Sequence, residues 1–161
     1  MKTLPAVLSG LVVWLLVAAS TSSRANQVAS CTIQSADTIN WQTIGTAEFA
    51  FRLPMDFHDA SGISIDSIVH TWRDSLGRTA TSDWGPYSNG LTGPPFEGFT
   101  VCSEQIGGQL ARVVYGVDAQ GKFMVGAAWR SVGPLTLIVR GTTEADLPML
   151  LAIVRSTTFK R

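Results

Sequence analysis

The chain opens on its longest apolar run. From Leu4 to Ala19 only Pro5, Ser9 and Gly10 interrupt alanine, aliphatic and tryptophan positions; Lys2 stands in front, and Ser20, Thr21, Ser22, Ser23 and Ala25 follow. A cation, a short apolar core and a small-x-small end (Ser23-Arg24-Ala25) predict a cleavable export signal over residues 1–25. The run falls short of the roughly 18 residues that a membrane-spanning helix needs, so a permanent anchor is the weaker reading. Residues 26–37 are polar and without period, an irregular lead-in.

From residue 38 onward the pattern has mainly period two. Ile39 to Ile44 predicts a short strand. Thr46 to Leu53 predicts a clearer one, because Ala47, Phe49, Phe51 and Leu53 alternate with Glu48, Ala50 and Arg52 and Pro54 ends the run. Met55 to Ile63 holds turn formers and reads as a loop. Ile65 to Arg73 carries two signals. Ile65, Ile68, Val69 and Trp72 fit helical spacing, whereas the β-branched content and the Ser75-Leu76-Gly77-Arg78 turn fit a hairpin with Thr79 to Trp84; the hairpin is the reading adopted.

Gly85 to Gly98, rich in glycine and proline, predicts an irregular surface loop. Phe99 to Gln105 leads into a Gly107-Gly108 turn. Leu110 to Val117 and Lys122 to Arg130 then form the strongest hairpin, joined by the four residues Asp118-Ala119-Gln120-Gly121. Leu135 to Arg140 is a further strand. One helix follows: Asp146 is placed to cap it, Pro148 suits its first turn, and Leu147, Leu150, Leu151 and Val154 make one apolar stripe. Thr157 to Phe159 returns as an edge strand. Without βαβ alternation, residues 38–161 predict one α+β domain: a mainly antiparallel sheet with the C-terminal helix, and room for others, on its faces.

Charge narrows the partners. The chain has 12 basic and 12 acidic residues. Loss of Lys2 and Arg24 with the signal leaves a slightly acidic remainder. Arg52, Arg73, Arg78, Arg112, Arg130, Arg140 and Arg155 are scattered along the sequence, which disfavours nucleic acid or an anionic membrane as partner. Export also bears on the two cysteines. Cys31 and Cys102 are expected to pair in an oxidising compartment, periplasmic or extracellular. One alternative is two free thiols; the sharper one is lipidation of Cys31, since Val28-Ala29-Ser30-Cys31 has the apolar-small-small-Cys pattern. Against it, Arg24 and eleven positions separate Ser30 from the end of the apolar core.

Catalytic patterns are weak. His58 lies among Asp56 and Asp59, too few ligand types for a metal site. Gly62-Ile63-Ser64 lacks a second glycine for a nucleophile elbow. Asp66, His70 and Asp83 are the residues on which an extracytoplasmic hydrolase would rest; Ser67 and Glu97 complete the polar candidates. No catalytic, cofactor or metal residue is assigned, and no cofactor is expected. The loop offers a candidate ligand platform of Trp84, Tyr87 and Phe96, with Phe99 beside it. The plainer alternative buries Trp84 and Phe99 in the core and uses Tyr87 and Phe96 to pin the loop.

Two patterns carry a resemblance. Phe51-Arg52-Leu53-Pro54-x-x-Phe57, Ile65-Asp66-Ser67-x-Val69-x-x-Trp72 and Asp83-Trp84-Gly85-x-Tyr87-Ser88-Asn89 together resemble small exported bacterial proteins without an assigned activity. More broadly, three features resemble PsbP-like α/β sandwich domains across about residues 38–160. These are a strand ending in Leu-Pro, a Gly-Gly turn into a long hairpin, and a C-terminal helix followed by Ser156 to Phe159. The resemblance implies an antiparallel sheet with helices on its faces and a binding or assembly role, with a small ligand or envelope protein as partner. It brings no catalytic residues.

Overall fold

The computed structural model describes residues 31–62, 68–131 and 133–160. Residues 1–25, read above as an expected export signal, and Asp66 and Ser67 lie outside them. The strands are β1 (Gln42–Gly45), β2 (Phe49–Leu53), β3 (His58–Asp59), β4 (Ile68–Arg73), β5 (Thr79–Trp84), β6 (Thr100–Ile106), β7 (Gln109–Val117), β8 (Phe123–Trp129), β9 (Leu135–Gly141) and, after helix α1 (Leu147–Arg155), β10 (Thr158–Phe159). Every ladder is antiparallel. The chain is therefore α+β, but with two sheets where the period-two pattern suggested one. Seven strands run in the order β3-β4-β5-β9-β8-β7-β6, and β2 sits between β1 and β10 in a smaller sheet.

The core lies between the large sheet and a second layer made of α1 and the small sheet. β2 contributes Phe49, Phe51 and Leu53, and α1 contributes Leu150, Leu151, Ile153 and Val154. The large sheet answers with Trp72, Ala80, Val113, Val125, Trp129, Leu137 and Val139. Of the stripe predicted for α1, Leu150, Leu151 and Val154 are buried and Leu147 is half-buried, while Ile153 widens the buried face; each fully buried large aliphatic side chain contributes roughly 1.5–3 kcal/mol. Cys102, on β6, joins this core and is bonded to Cys31 of the lead-in segment.

The opposite face of the large sheet is covered by loop rather than by helix. Leu91, Phe96 and Phe99 pack on Val101, Val114, Met124, Ala128 and Ile138. Leu91 is fully buried although its backbone is left-handed (φ 55°). The Asn89 side-chain oxygen accepts its N–H at 2.8 Å and holds that conformation.

Several boundaries differ from the expected ones for local reasons. Ile39 is exposed and outside β1, because Asp37 Oδ1 accepts its N–H and turns the chain. Ala47 is exposed because Thr46 Oγ1 accepts the N–H groups of Glu48 and Phe49, closing a turn before β2 begins. Within the expected Met55–Ile63 loop, His58 and Asp59 pair with Arg73 and Trp72 as a two-residue edge strand. Asp146 precedes α1 but does not cap it. Its backbone is already helical (φ −75°, ψ −22°), as the last residue of a 3-10 turn over Glu144–Asp146, and a capping residue needs extended backbone. Its Oδ2 instead accepts the N–H groups of Thr142 and Thr143 at 2.7 and 2.9 Å.

The Gly107-Gly108 turn joins Ile106 to Gln109 with both glycines left-handed (φ 61° and 75°). At Gly107 a Cβ would lie 2.7 Å from the Thr157 carbonyl oxygen, whereas at Gly108 nothing stands within 4 Å. Gly107→Ala is therefore expected to lower the urea midpoint more than Gly108→Ala. The latter costs only the conformational term of roughly 1–2 kcal/mol. Equal losses contradict the close packing of the turn on β10.

Candidate functional site

The aromatic residues of the Gly85–Gly98 loop do not form one platform. Trp84 ends β5 on the core side, its ring stacked on Phe49 with centroids 5.6 Å apart. Phe96 lies across the sheet, edge-on to Phe99 at 5.9 Å. Tyr87 is 79% exposed. Strand parity is the reason: Ala80, Ser82 and Trp84 share the face of β5 that meets the core, so Trp84 cannot turn to the loop face without breaking the ladder. Of the plainer alternative, Trp84 does belong to the core and Phe96 does pin the loop; Phe99 instead packs half-buried on the outer face beside Phe96, and the exposed Tyr87 pins nothing.

The loop leaves an open cleft at its edge, on the outer face of β6, β7 and β8. The cleft measures about 310 Å3 and is lined by Ser103, Leu110, Arg112, Ala128, Arg130 and Ser131. Arg112 lies between Ser103 and Ala128 across three strands, and Arg130, two residues beyond Ala128, returns to the same face. The loop orients both arginines. Arg112 Nε donates to the Leu91 carbonyl at 3.3 Å. The Arg130 guanidinium lies directly over Gly90, where a Cβ would come 2.2 Å from Nη2. Ser131 Oγ donates to Gln109 Oε1 at 2.9 Å. Among the described residues no carboxylate comes within ion-pair distance of Arg112 or Arg130, whereas Arg78, Arg140 and Arg155 all have such partners.

A second cleft, of about 230 Å3, lies between residues 35–38 and α1. Its cation is committed. Arg155 binds Glu104 through Nε (2.7 Å) and Nη2 (3.1 Å) and donates to the carbonyl oxygens of Ile33 and Cys31. That arginine fastens the disulfide-linked segment to α1.

The hydrolase candidates are separated. His70 lies opposite Ser82 on the core face of the large sheet and stacks on Trp72 at 5.7 Å. Asp83 lies opposite Val69 and Thr136 on the other face. Glu97 is exposed on the loop. Asp56 reaches Arg78 and Asp59 accepts the Ser61 N–H, so neither turns toward His58. Hydrogen bonds from Ser61 hold the exposed Asp59 carboxyl below its ordinary range.

Two other carboxylates are structural. Burial works against the charge of Asp118. The N–H groups of Lys122 and Gln120 and the Arg140 guanidinium outweigh it and hold its pKa below the usual range. At Asp146 burial is likewise outweighed, by the Thr143 and Thr142 N–H groups, the Thr142 hydroxyl and Arg78. A folded pKa below the unfolded one gives stability that is present above the unfolded value, about 3.9, and is lost as pH falls through the folded value. The thermal midpoint is therefore expected to hold between about pH 7 and 5 as far as these groups decide it, and to drop below about pH 4. Asp118→Asn is expected to flatten part of that drop; an unchanged acid limb contradicts the assignment.

The chain matches no protein-family model and no curated protein. Among the described residues, no helix is long and apolar enough to cross a membrane.

Proposed function

We propose that this chain is an exported, disulfide-linked domain of PsbP-like architecture with a binding or assembly role and no catalysis of its own. The observation that carries the reading is the Cys31–Cys102 bridge. It ties the segment that follows the export-type N-terminus to the core of the sheet, and such bridges persist in oxidising compartments. A central antiparallel sheet, a long hairpin after a Gly-Gly turn and a late helix support the architecture. The open, loop-bordered cleft supports binding. Engagement of Cys31 in the bridge favours this reading over a lipid anchor, because a thioether sulfur cannot also form a disulfide. Placement of His70 and Asp83 on opposite faces tells against the hydrolase.

The test is mass spectrometry of the protein recovered from culture after expression of the full chain, first native and then denatured. A bound mass released on denaturation is the expected result. A protein that carries nothing, together with a hydrolytic activity abolished by His70→Ala or Asp83→Ala in a folded chain, overturns the reading.

A further inference from the structure

We infer that the Arg112–Arg130 cleft is a binding site for a small organic anion, a carboxylate joined to a short apolar body. The inference rests on the binding role proposed above and names its site and ligand class. Arg112 and Arg130 both line this cleft, and an anion held there offsets the like charge they bring to it. No residue lining this cleft is acidic. The Nε of Arg112 is used by the Leu91 carbonyl, and among the described residues its two terminal nitrogens have no protein acceptor. Arg130 is in the same position, held over Gly90 with no acceptor among the described residues. These are the donors that grip a carboxylate in a forked, two-bond geometry. The hydroxyls of Ser103 and Ser131 add polar contacts at the rim, while Ala128 and the 59% exposed Leu110 form an apolar wall. A volume of about 310 Å3 suits a small molecule, at the low end of the roughly 300–1,000 Å3 typical of ligand pockets.

Calorimetric titration of the protein with octanoate, 1-octanol and inorganic phosphate tests both halves of the assignment. Octanoate is expected to bind, 1-octanol and phosphate at least about tenfold more weakly, since each lacks one of the two features the cleft recognises. Arg130→Gln and Arg112→Gln are each expected to weaken octanoate about tenfold or more. Arg130→Gln is the cleaner variant, because Arg112 also holds the loop; unchanged thermal midpoints certify the fold. Octanol binding as tightly as octanoate, or octanoate binding indifferent to both substitutions, overturns the anion site. Phosphate binding as tightly as octanoate overturns the apolar half. Failure here is distinct from failure of the binding role. If the cultured protein carries a ligand whose binding ignores Arg112 and Arg130, the cleft assignment falls and the binding role stands.

Discussion

Removing the Cys31–Cys102 bridge is expected to cost about 4 kcal/mol of stability, from the chain-entropy cost of closing a loop with a sequence separation of 71. In a domain of this size that corresponds to a fall of roughly 10–20 °C in the thermal midpoint. The bridge constrains the unfolded chain, and in the folded state it also anchors the lead-in. Cys102 is 1% exposed in the core, while Cys31 belongs to a segment without regular structure. That segment's other ties are few: Arg155 donates to the Cys31 and Ile33 carbonyl oxygens, and the Ala36 N–H donates to Pro148 O. The double variant Cys31→Ser with Cys102→Ala avoids placing a hydroxyl in the core. Urea unfolding of this variant, beside the oxidised and reduced protein, checks the figure. A loss under about 1 kcal/mol means that the unfolded chain is already restrained or that the bridge is strained, and contradicts the entropy account.

Arg78→Met is expected to cost about 3–5 kcal/mol, the usual penalty for stranding one partner of a buried ion pair. The Asp74 side chain is fully buried, and its Oδ2 is bound to Arg78 Nε. Its Oδ1 accepts the N–H groups of Leu76 and Arg78, at 2.9 and 2.8 Å, and these bonds do not depend on the guanidinium. Burial works against the Arg78 charge, but Asp74, Asp146 and Asp56 together hold its pKa above the ordinary value. One cation thus joins the β2–β3 loop, the β4–β5 turn and the start of α1. Asp74→Asn combined with Arg78→Met is expected to recover part of the loss, as a buried pair replaced on both sides often does. A single substitution costing under about 1 kcal/mol places the network among ordinary surface ion pairs and contradicts its role.

The large features of the fold were legible because each has a local cause. Phe49, Phe51 and Leu53 alternate and are buried; the Leu150-Leu151 stripe makes a helix; two glycines turn the chain between β6 and β7. The second sheet was not legible. Pairing of β2 with β1 is local, but pairing with β10 joins Ala50 to Thr158 across most of the chain, and no local pattern encodes that. The cleft was hidden for a subtler reason. A four-residue turn over Asp118–Gly121 pairs Val117 with Lys122 and sends Arg112 and Arg130 to opposite faces. In the structure the turn also takes in Lys122: the Asp118 N–H donates to the Lys122 carbonyl, and Asp118 Oδ1 accepts the Gln120 and Lys122 N–H groups. Val117 then pairs with Phe123, and the one-residue shift brings both arginines to one face. The signal was Asp118 itself, whose side chain caps its own turn. The aromatic platform failed for the opposite reason: closeness in sequence between Trp84 and Phe96 says nothing about which side of a strand each occupies.

The central claim, an exported domain closed by its own disulfide, is tested most directly by the intact mass of the non-reduced protein recovered outside the cytoplasm after expression of the full chain. The account predicts a chain starting near Asn26 and lighter than its reduced form by the two thiol hydrogens. A chain retained in the cytoplasm from Met1 with both thiols free contradicts it, and so does one starting at Cys31 with added acyl mass and a free Cys102.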